Sequence, residues 1–193
     1  ANLTSFTIDV DSDGFSALEH KDIKDESFDL LPMIKEAYAI KSKQDDKNLK
    51  IVASAWTAPP WMKTIEDYYI KPTPENNHQG TGGELKPQYV GTYADYLIKY
   101  LDAYQAQGID IWALTPVNEP HGNSGQWESM HFTPKTQSTF IKDHLGPKLK
   151  ASAHEDVKLL IYDQNRDQME HWTDEILADK ETAQYVYGTA VHW

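Results

Sequence analysis

The chain has 193 residues, with 18 Lys and Arg against 30 Asp and Glu, for a formal net charge of −12. Binding nucleic acid, or holding to an anionic membrane, takes clustered cations, and this balance argues against both. With no cysteine there are no disulfides, thiolate metal sites or thiol nucleophiles.

Mean hydropathy is −0.66, and no apolar run approaches the roughly 20 residues of a membrane span. The leading residues show neither a basic start nor an apolar stretch of signal-peptide type. Six Trp and 11 Tyr supply many flat amphipathic rings, which suit a carbohydrate cleft as well as a core.

Residues 1–27 form a leading segment with little pattern. Asp9, Asp11 and Asp13 are spaced like a calcium loop, but no Glu stands at the twelfth position, so a solvated loop is expected. Asn2-Leu3-Thr4 is a glycosylation sequon. Leu30, Met33, Ile34, Ala37 and Tyr38 then fall on one helical face, with Pro32 in the first turn. Leu49 to Trp56 reads as a buried strand, nearly continuously apolar, as in a parallel sheet covered on both faces. Residues 57–88, rich in Pro and Gly, form a long loop of the kind that usually carries function.

Tyr93, Tyr96, Leu97, Tyr100, Leu101 and Tyr104 hold a strict helical stripe, with Gly108 placed to end it. A strand is expected from Ile109 to about Val117, followed by Asn118-Glu119-Pro120 and a second irregular loop over 120–132. Thr133-Pro134 is an N-cap with Pro in the first turn, opening a helix through Phe140, Ile141 and Leu145 to Gly146-Pro147. His144 is expected to cap its end. Val157 to Asp163 is a third strand, Met169 to Leu177 a helix, Glu181–Tyr185 a short helix, and Tyr187 to Trp193 a fourth strand.

The predicted order is thus α-β-α-β-α-β-α-β, which means a parallel α/β sheet with helical cover. A doubly wound nucleotide-binding sheet would show a Gly-rich turn directly after an early strand. Gly80-Thr81-Gly82-Gly83 lies in mid-loop and lacks the Lys of a phosphate cradle. A (β/α)8 TIM barrel places long loops and chemistry at strand C-termini, where the loops 57–88 and 120–132 fall. A barrel needs eight strands and typically ~250 residues. About four βα units are visible, so the fold expected is part of a barrel, its middle strands, with residues 1–193 a fragment of a single catalytic domain.

Glu119 is the leading candidate for chemistry. A carboxyl fixed at a strand end and partly shielded there can protonate a leaving oxygen. Asn118 beside it offers a donor and an acceptor to a sugar hydroxyl. The plainer alternative is a turn that merely tolerates Asn, Glu and Pro.

The strand followed by Asn118-Glu119-Pro120 resembles the acid/base motif of a clan of barrel glycosidases. Further stretches narrow the resemblance to glycoside hydrolase family 30, which includes glucosylceramidases. They are Ala53-Ser54-Ala55-Trp56-Thr57-Ala58-Pro59-Pro60-Trp61-Met62-Lys63, Phe132-Thr133-Pro134, Asp143-His144-Leu145-Gly146-Pro147, Ile161-Tyr162-Asp163-Gln164-Asn165 and Tyr185 to Trp193. The resemblance runs from about Phe28 to the last residue.

It implies a retaining β-glycosidase with Glu119 as general acid/base and Asn118 on the glycone 2-hydroxyl. It further implies Trp56 lining the glycone subsite, Trp127 as an aromatic wall near the aglycone, and Gln164, His192 and Trp193 as cleft residues. Asn2 stands where the family has a glycone-binding Asp. The implied substrate is a β-glucoside, a glucosyl lipid or an oligosaccharide, with no cofactor or metal and an extracellular, periplasmic or lysosomal setting. The second carboxylate, a Glu ending a later strand, is expected outside these residues, so this chain alone should be inactive. The nearest rivals are a β-1,6-glucanase or β-xylosidase of the same family and a non-catalytic carbohydrate-binding barrel.

Trp61, Trp112 and Trp172 are expected to pack rather than bind. The eight His show no metal spacing. Asp163 is expected at least as much to support neighbouring polar groups as to react.

Overall fold

The computed structural model describes residues 30–43 and 49–193. The Asp9, Asp11 and Asp13 cluster and Asn2 lie outside them. Six helices and four strands are described: α1 (Leu30–Lys41), β1 (Val52–Ser54), α2 (Val90–Ala106), β2 (Ala113–Thr115), α3 (Pro134–Phe140), α4 (Gly146–Lys150), β3 (Lys158–Gln164), α5 (Met169–Ala178), α6 (Lys180–Ala183) and β4 (Val186–Val191). The strands pair in chain order, β1-β2-β3-β4, all parallel. This is the order consecutive βα units give when each helix crosses over the same face. None of the described helices is long and apolar enough to cross a membrane.

One face of the sheet is covered by the stripe read from the sequence. Tyr93, Leu97, Leu101 and Tyr104 of α2 are buried with Phe140, Ile141, Leu145 and Leu149 of the next helical segment and with Trp172 and Ile176 of α5. They close over Ala53, Leu114, Leu159 and Ile161 of the strands. Phe140 stacks on Tyr93 at 5.6 Å between ring centroids. The Tyr93 hydroxyl donates to the carbonyl of Pro116 at 2.8 Å, so helix packing also fixes the backbone leading to Glu119. Tyr93→Phe leaves that buried carbonyl unpaired and is expected to cost about 2 kcal/mol, measured by urea unfolding. An unchanged midpoint would show that the bond carries no net stability.

β1 and β2 are three residues each, shorter than the apolar runs that announce them. The flanking residues are held by a few single bonds instead, as when Trp112 donates its backbone N–H to Ile51 at 2.9 Å. The helix opened by Thr133 does not stop at Gly146-Pro147. Thr133 caps it by accepting the Thr136 N–H at 3.1 Å, and it runs on to Lys150 through a π turn over Ile141–Leu145. There the Gly146 N–H reaches back to the Ile141 carbonyl. The widened turn accommodates Pro147, which has no N–H to give. His144 therefore sits inside a continuous helical segment and caps nothing.

The loop 57–88 is ordered. It holds three 3-10 turns, at Pro60–Met62, Pro74–Asn76 and Pro87–Tyr89, and two antiparallel bridges, Lys63 with Leu85 and Ile70 with Thr81. Trp61 packs edge-on against Tyr89 at 5.1 Å. Trp112 meets Tyr187 edge-on at 5.8 Å, and Trp172 is buried.

Candidate active site

Parallel strands bring their C-terminal ends to one rim, so residues far apart in sequence converge there. Ser54 and Thr115 end β1 and β2 and are register partners. Asp163 lies in β3 at an irregularity in the β3–β4 ladder between Tyr162 and Gln164. Tyr162 and Asp163 both take positive φ there, 76° and 61°. Such a bulge re-aims a side chain. Here it accompanies an Asp163 carboxylate whose Oδ2 accepts the hydroxyls of Ser54 and Thr115, the second at 2.7 Å. Its Oδ1 meets His192 Nε2 at 3.1 Å.

Glu119 lies four residues beyond β2 and also takes positive φ, 49°. A non-glycine residue is strained there, and two backbone bonds hold it. Its N–H donates to the Asp163 carbonyl at 2.9 Å, and its carbonyl accepts the Gly122 N–H at 2.7 Å. The Glu119 carboxyl is mostly shielded, and its Oε1 lies 3.6 Å from His192 Nδ1. Asn118 is 6% exposed, and its N–H donates to the Ala55 carbonyl at 2.7 Å. Asn118 and Glu119 are thus tied to the ends of β1 and β3, one on each side.

Of the other residues expected in a cleft, three aromatics stand open. Trp56 is 49%, Trp127 40% and Trp193 85% exposed. Gln164 is buried, with its Oε1 lacking a hydrogen-bond partner. Its backbone carbonyl accepts the His192 N–H at 2.9 Å. Among the described residues, Glu119, Asp163 and His192 are brought together, and the Trp193 ring lies 5.8 Å from that of His192. The part of Ser54 and Thr115 in holding Asp163 was not read from the sequence. The available signal was a hydroxyl at the last position of two neighbouring strands.

The two rim loops are locked together. Gly80 and Gly82 lie against the backbone of Ser124 and Ser129, and Gly125 lies against Ile70, Gly80 and Thr81. Lys63 is fully buried between the loops. Its ammonium donates to the carbonyls of Tyr68 and, at 2.9 Å, Ser129. Burial pulls its pKa down to about 8, partly offset by Asp67 and Glu128. Burial also lowers His121 and His131 in the second loop. His121 stacks on Trp172 at 5.2 Å.

Below pH about 8 the folded chain bears the full cost of a buried lysine charge. From there to the ordinary lysine value of 10.5 the unfolded chain binds more protons than the folded one, so this contribution to stability rises with pH. Wild type is therefore expected to gain stability relative to Lys63→Met between pH 7 and 10, measured by urea unfolding at both. Parallel responses would contradict the assignment.

A rim carboxyl, a neighbouring amide and exposed aromatic rings at the C-terminal ends of parallel strands are the parts of a barrel glycosidase cleft. The chain belongs to glycosyl hydrolase family 30, whose TIM-barrel domain matches residues 3–193. That match takes in most of the leading segment as well. The lysosomal acid glucosylceramidase of Mus musculus is 37% identical over 170 residues, covering 84% of this chain and 30% of that protein. The putative glucosylceramidase 4 of Caenorhabditis elegans is 36% identical over 170 residues, with the same coverage. The endo-1,6-beta-D-glucanase neg1 of Aspergillus fumigatus is 33% identical over 164 residues, covering 83% and 32%. Among solved structures, SrfJ from Salmonella typhimurium superposes with a TM-score of 0.73 at 27% identity, covering 86% of this chain and 34% of that one. An endo-β1,6-glucanase superposes at 0.71 with 32% identity, covering 88% and 36%. The chain thus spans about a third of the length of the relatives it matches, and its fold is the corresponding part of the family's barrel.

Proposed function

We propose that the full-length protein is a retaining β-glycoside hydrolase of glucosylceramidase type, with Glu119 as its general acid/base. The observation that carries this is the placement of Glu119. Its backbone is strained into one position at the strand-end rim by bonds to Asp163 and Gly122, and its carboxyl is largely withdrawn from water. In the first step such a carboxyl gives its proton to the departing glycosidic oxygen, and in the second it takes a proton from water. Asn118 bonds the glycone 2-hydroxyl, Trp56 lies against the sugar, and Trp127 walls the aglycone side. Gln164, His192 and Trp193 complete the cleft.

Retention needs a second carboxylate about 5–5.5 Å from the first. β1 leads into Ala55-Trp56, β3 ends at Gln164, and β4 leads into His192-Trp193. No described strand but β2 is followed at its C-terminal end by a Glu. The nucleophile is accordingly assigned outside residues 1–193, which form a fragment of one catalytic domain and are inactive alone. Likeness to a lysosomal enzyme supports a compartment outside the cytosol.

The likeness to endo-1,6-glucanases favours one second reading, a β-1,6-glucan substrate for the same machinery. The test is turnover by the full-length protein of an aryl β-glucoside, a glucosyl lipid and a β-1,6-linked glucan, with the first-formed anomer followed by NMR. Hydrolysis of glucosyl lipid with a β product supports the principal reading. Preference for the glucan supports the second. Binding of sugar without turnover would show a carbohydrate-binding barrel instead.

A further inference from the structure

We propose that His192, anchored by Asp163, is a positioning residue that holds the proton of Glu119 in place, through its Nδ1 and the Glu119 Oε1. The inference rests on the reading of Glu119 as acid/base. The Asp163 carboxylate already accepts two hydroxyl hydrogens, from Ser54 and Thr115. The two hydroxyl oxygens also lie 2.9 Å apart, but each hydroxyl has only one proton, and both point to Asp163. An ionised carboxylate is acceptor only, so the 3.1 Å contact between Oδ1 and His192 requires a hydrogen on Nε2. That fixes the tautomer. A neutral ring then turns a bare Nδ1 toward Glu119.

Nδ1 is a buried nitrogen with no hydrogen-bond partner. A buried polar atom left this way is costly, and the carboxylate that faces it is Glu119, with Oε1 at 3.6 Å. Hydrogen bonds of catalytic groups are often long in the unliganded state and tighten with substrate. The titratable groups that face the His192 ring are Asp163 from β3 and Glu119 beyond β2. The Trp193 ring lies 5.8 Å from the imidazole, and the His192 backbone N–H is held by the Gln164 carbonyl.

One proton is shared along this line. While Glu119 carries it, Nδ1 accepts the hydrogen bond and keeps the carboxyl turned to β4. When an aglycone oxygen arrives, the same proton passes from Glu119 to that oxygen, and the O–H bond to Glu119 breaks as the new one forms. In the second step a water proton restores it. His192 touches no reacting atom.

The test uses the full-length protein and has two readouts. The first is the tautomer, read by 15N NMR of the imidazole with no mutation needed. A protonated Nε2 and a bare Nδ1 are expected at pH values where the ring is neutral, and Asp163→Asn should disturb that state. A hydrogen on Nδ1 in the wild type would overturn the proposal whatever the enzyme's activity. The second is kinetic. His192→Phe keeps a ring in place but can neither donate to Asp163 nor accept from Glu119, so kcat should fall about tenfold or more with KM little changed. A rise in KM alone would make His192 a substrate contact and overturn the proposal. Absence of turnover in the wild type would instead defeat the reading of Glu119 and leave the tautomer result to decide the geometry.

Discussion

Replacing Glu119 by Gln in the full-length protein is expected to lower kcat/KM by about 10²–10⁴-fold on a substrate with a poor leaving group. The amide keeps the shape of the carboxyl and can keep the backbone bonds to Asp163 and Gly122, so the fold is expected to survive. What it loses is the proton. An alkoxide leaving group needs that proton and a nitrophenolate hardly does. The first step should therefore suffer far less on an activated aryl glucoside than on a glucosyl lipid. The check is a comparison of kcat/KM across leaving groups of different basicity, with far-UV circular dichroism as the control for folding. An equal loss on every leaving group would assign Glu119 a structural role.

The second large effect is expected away from the carboxyl. Gly125 takes φ +73°, and a Cβ there would stand 1.9 Å from the Ile70 carbonyl oxygen, 2.8 Å from Gly80 Cα and 2.9 Å from the Thr81 nitrogen. All three are backbone atoms, so no side chain can swing aside. Ile70 and Thr81 also exchange hydrogen bonds of 2.8 and 3.0 Å, which a displaced Ile70 carbonyl would break. Gly125→Ala thus combines a left-handed alanine, about 1 kcal/mol, with forced separation of packed loops, about 1–3 kcal/mol. A loss of about 3 kcal/mol is expected by urea unfolding, with faster hydrogen exchange at the Ile70 and Thr81 amides. Gly108→Ala is the control. It has φ +75° and nothing within 4 Å of the added Cβ, so only the smaller backbone cost applies. Equal losses at the two positions would show that the loops are not packed as described.

The element order was legible because helical stripes such as Tyr93 to Tyr104 and apolar runs such as Val157 to Asp163 are local signals. Strand length was less so. The run Ile109 to Val117 marks burial, while pairing covers only Ala113–Thr115, and hydrophobicity does not distinguish the two. The continuation of the helix past Pro147 depends on a π turn, a backbone adjustment with no residue signature. Within the candidate site, Asn118-Glu119-Pro120 stands out because a strand leads into it. The Asp163 connection does not, because it needs a bulge with positive φ at a tyrosine, where propensity argues against it. Ser54, Thr115, Asp163 and His192 come from four strand ends, and only the sheet makes them neighbours.

The most direct test of Glu119 as the acid/base of a retaining enzyme is azide rescue of Glu119→Ala in the full-length protein. Removing an acid/base leaves the glycosyl-enzyme intermediate waiting for a base to activate water. Azide needs no base and enters from the vacated face. With an activated aryl β-glucoside, azide is expected to restore turnover and to yield the β-glucosyl azide, identified by NMR. An α-glucosyl azide would make Glu119 the nucleophile, and no azide product with wild-type turnover intact would remove it from the reaction.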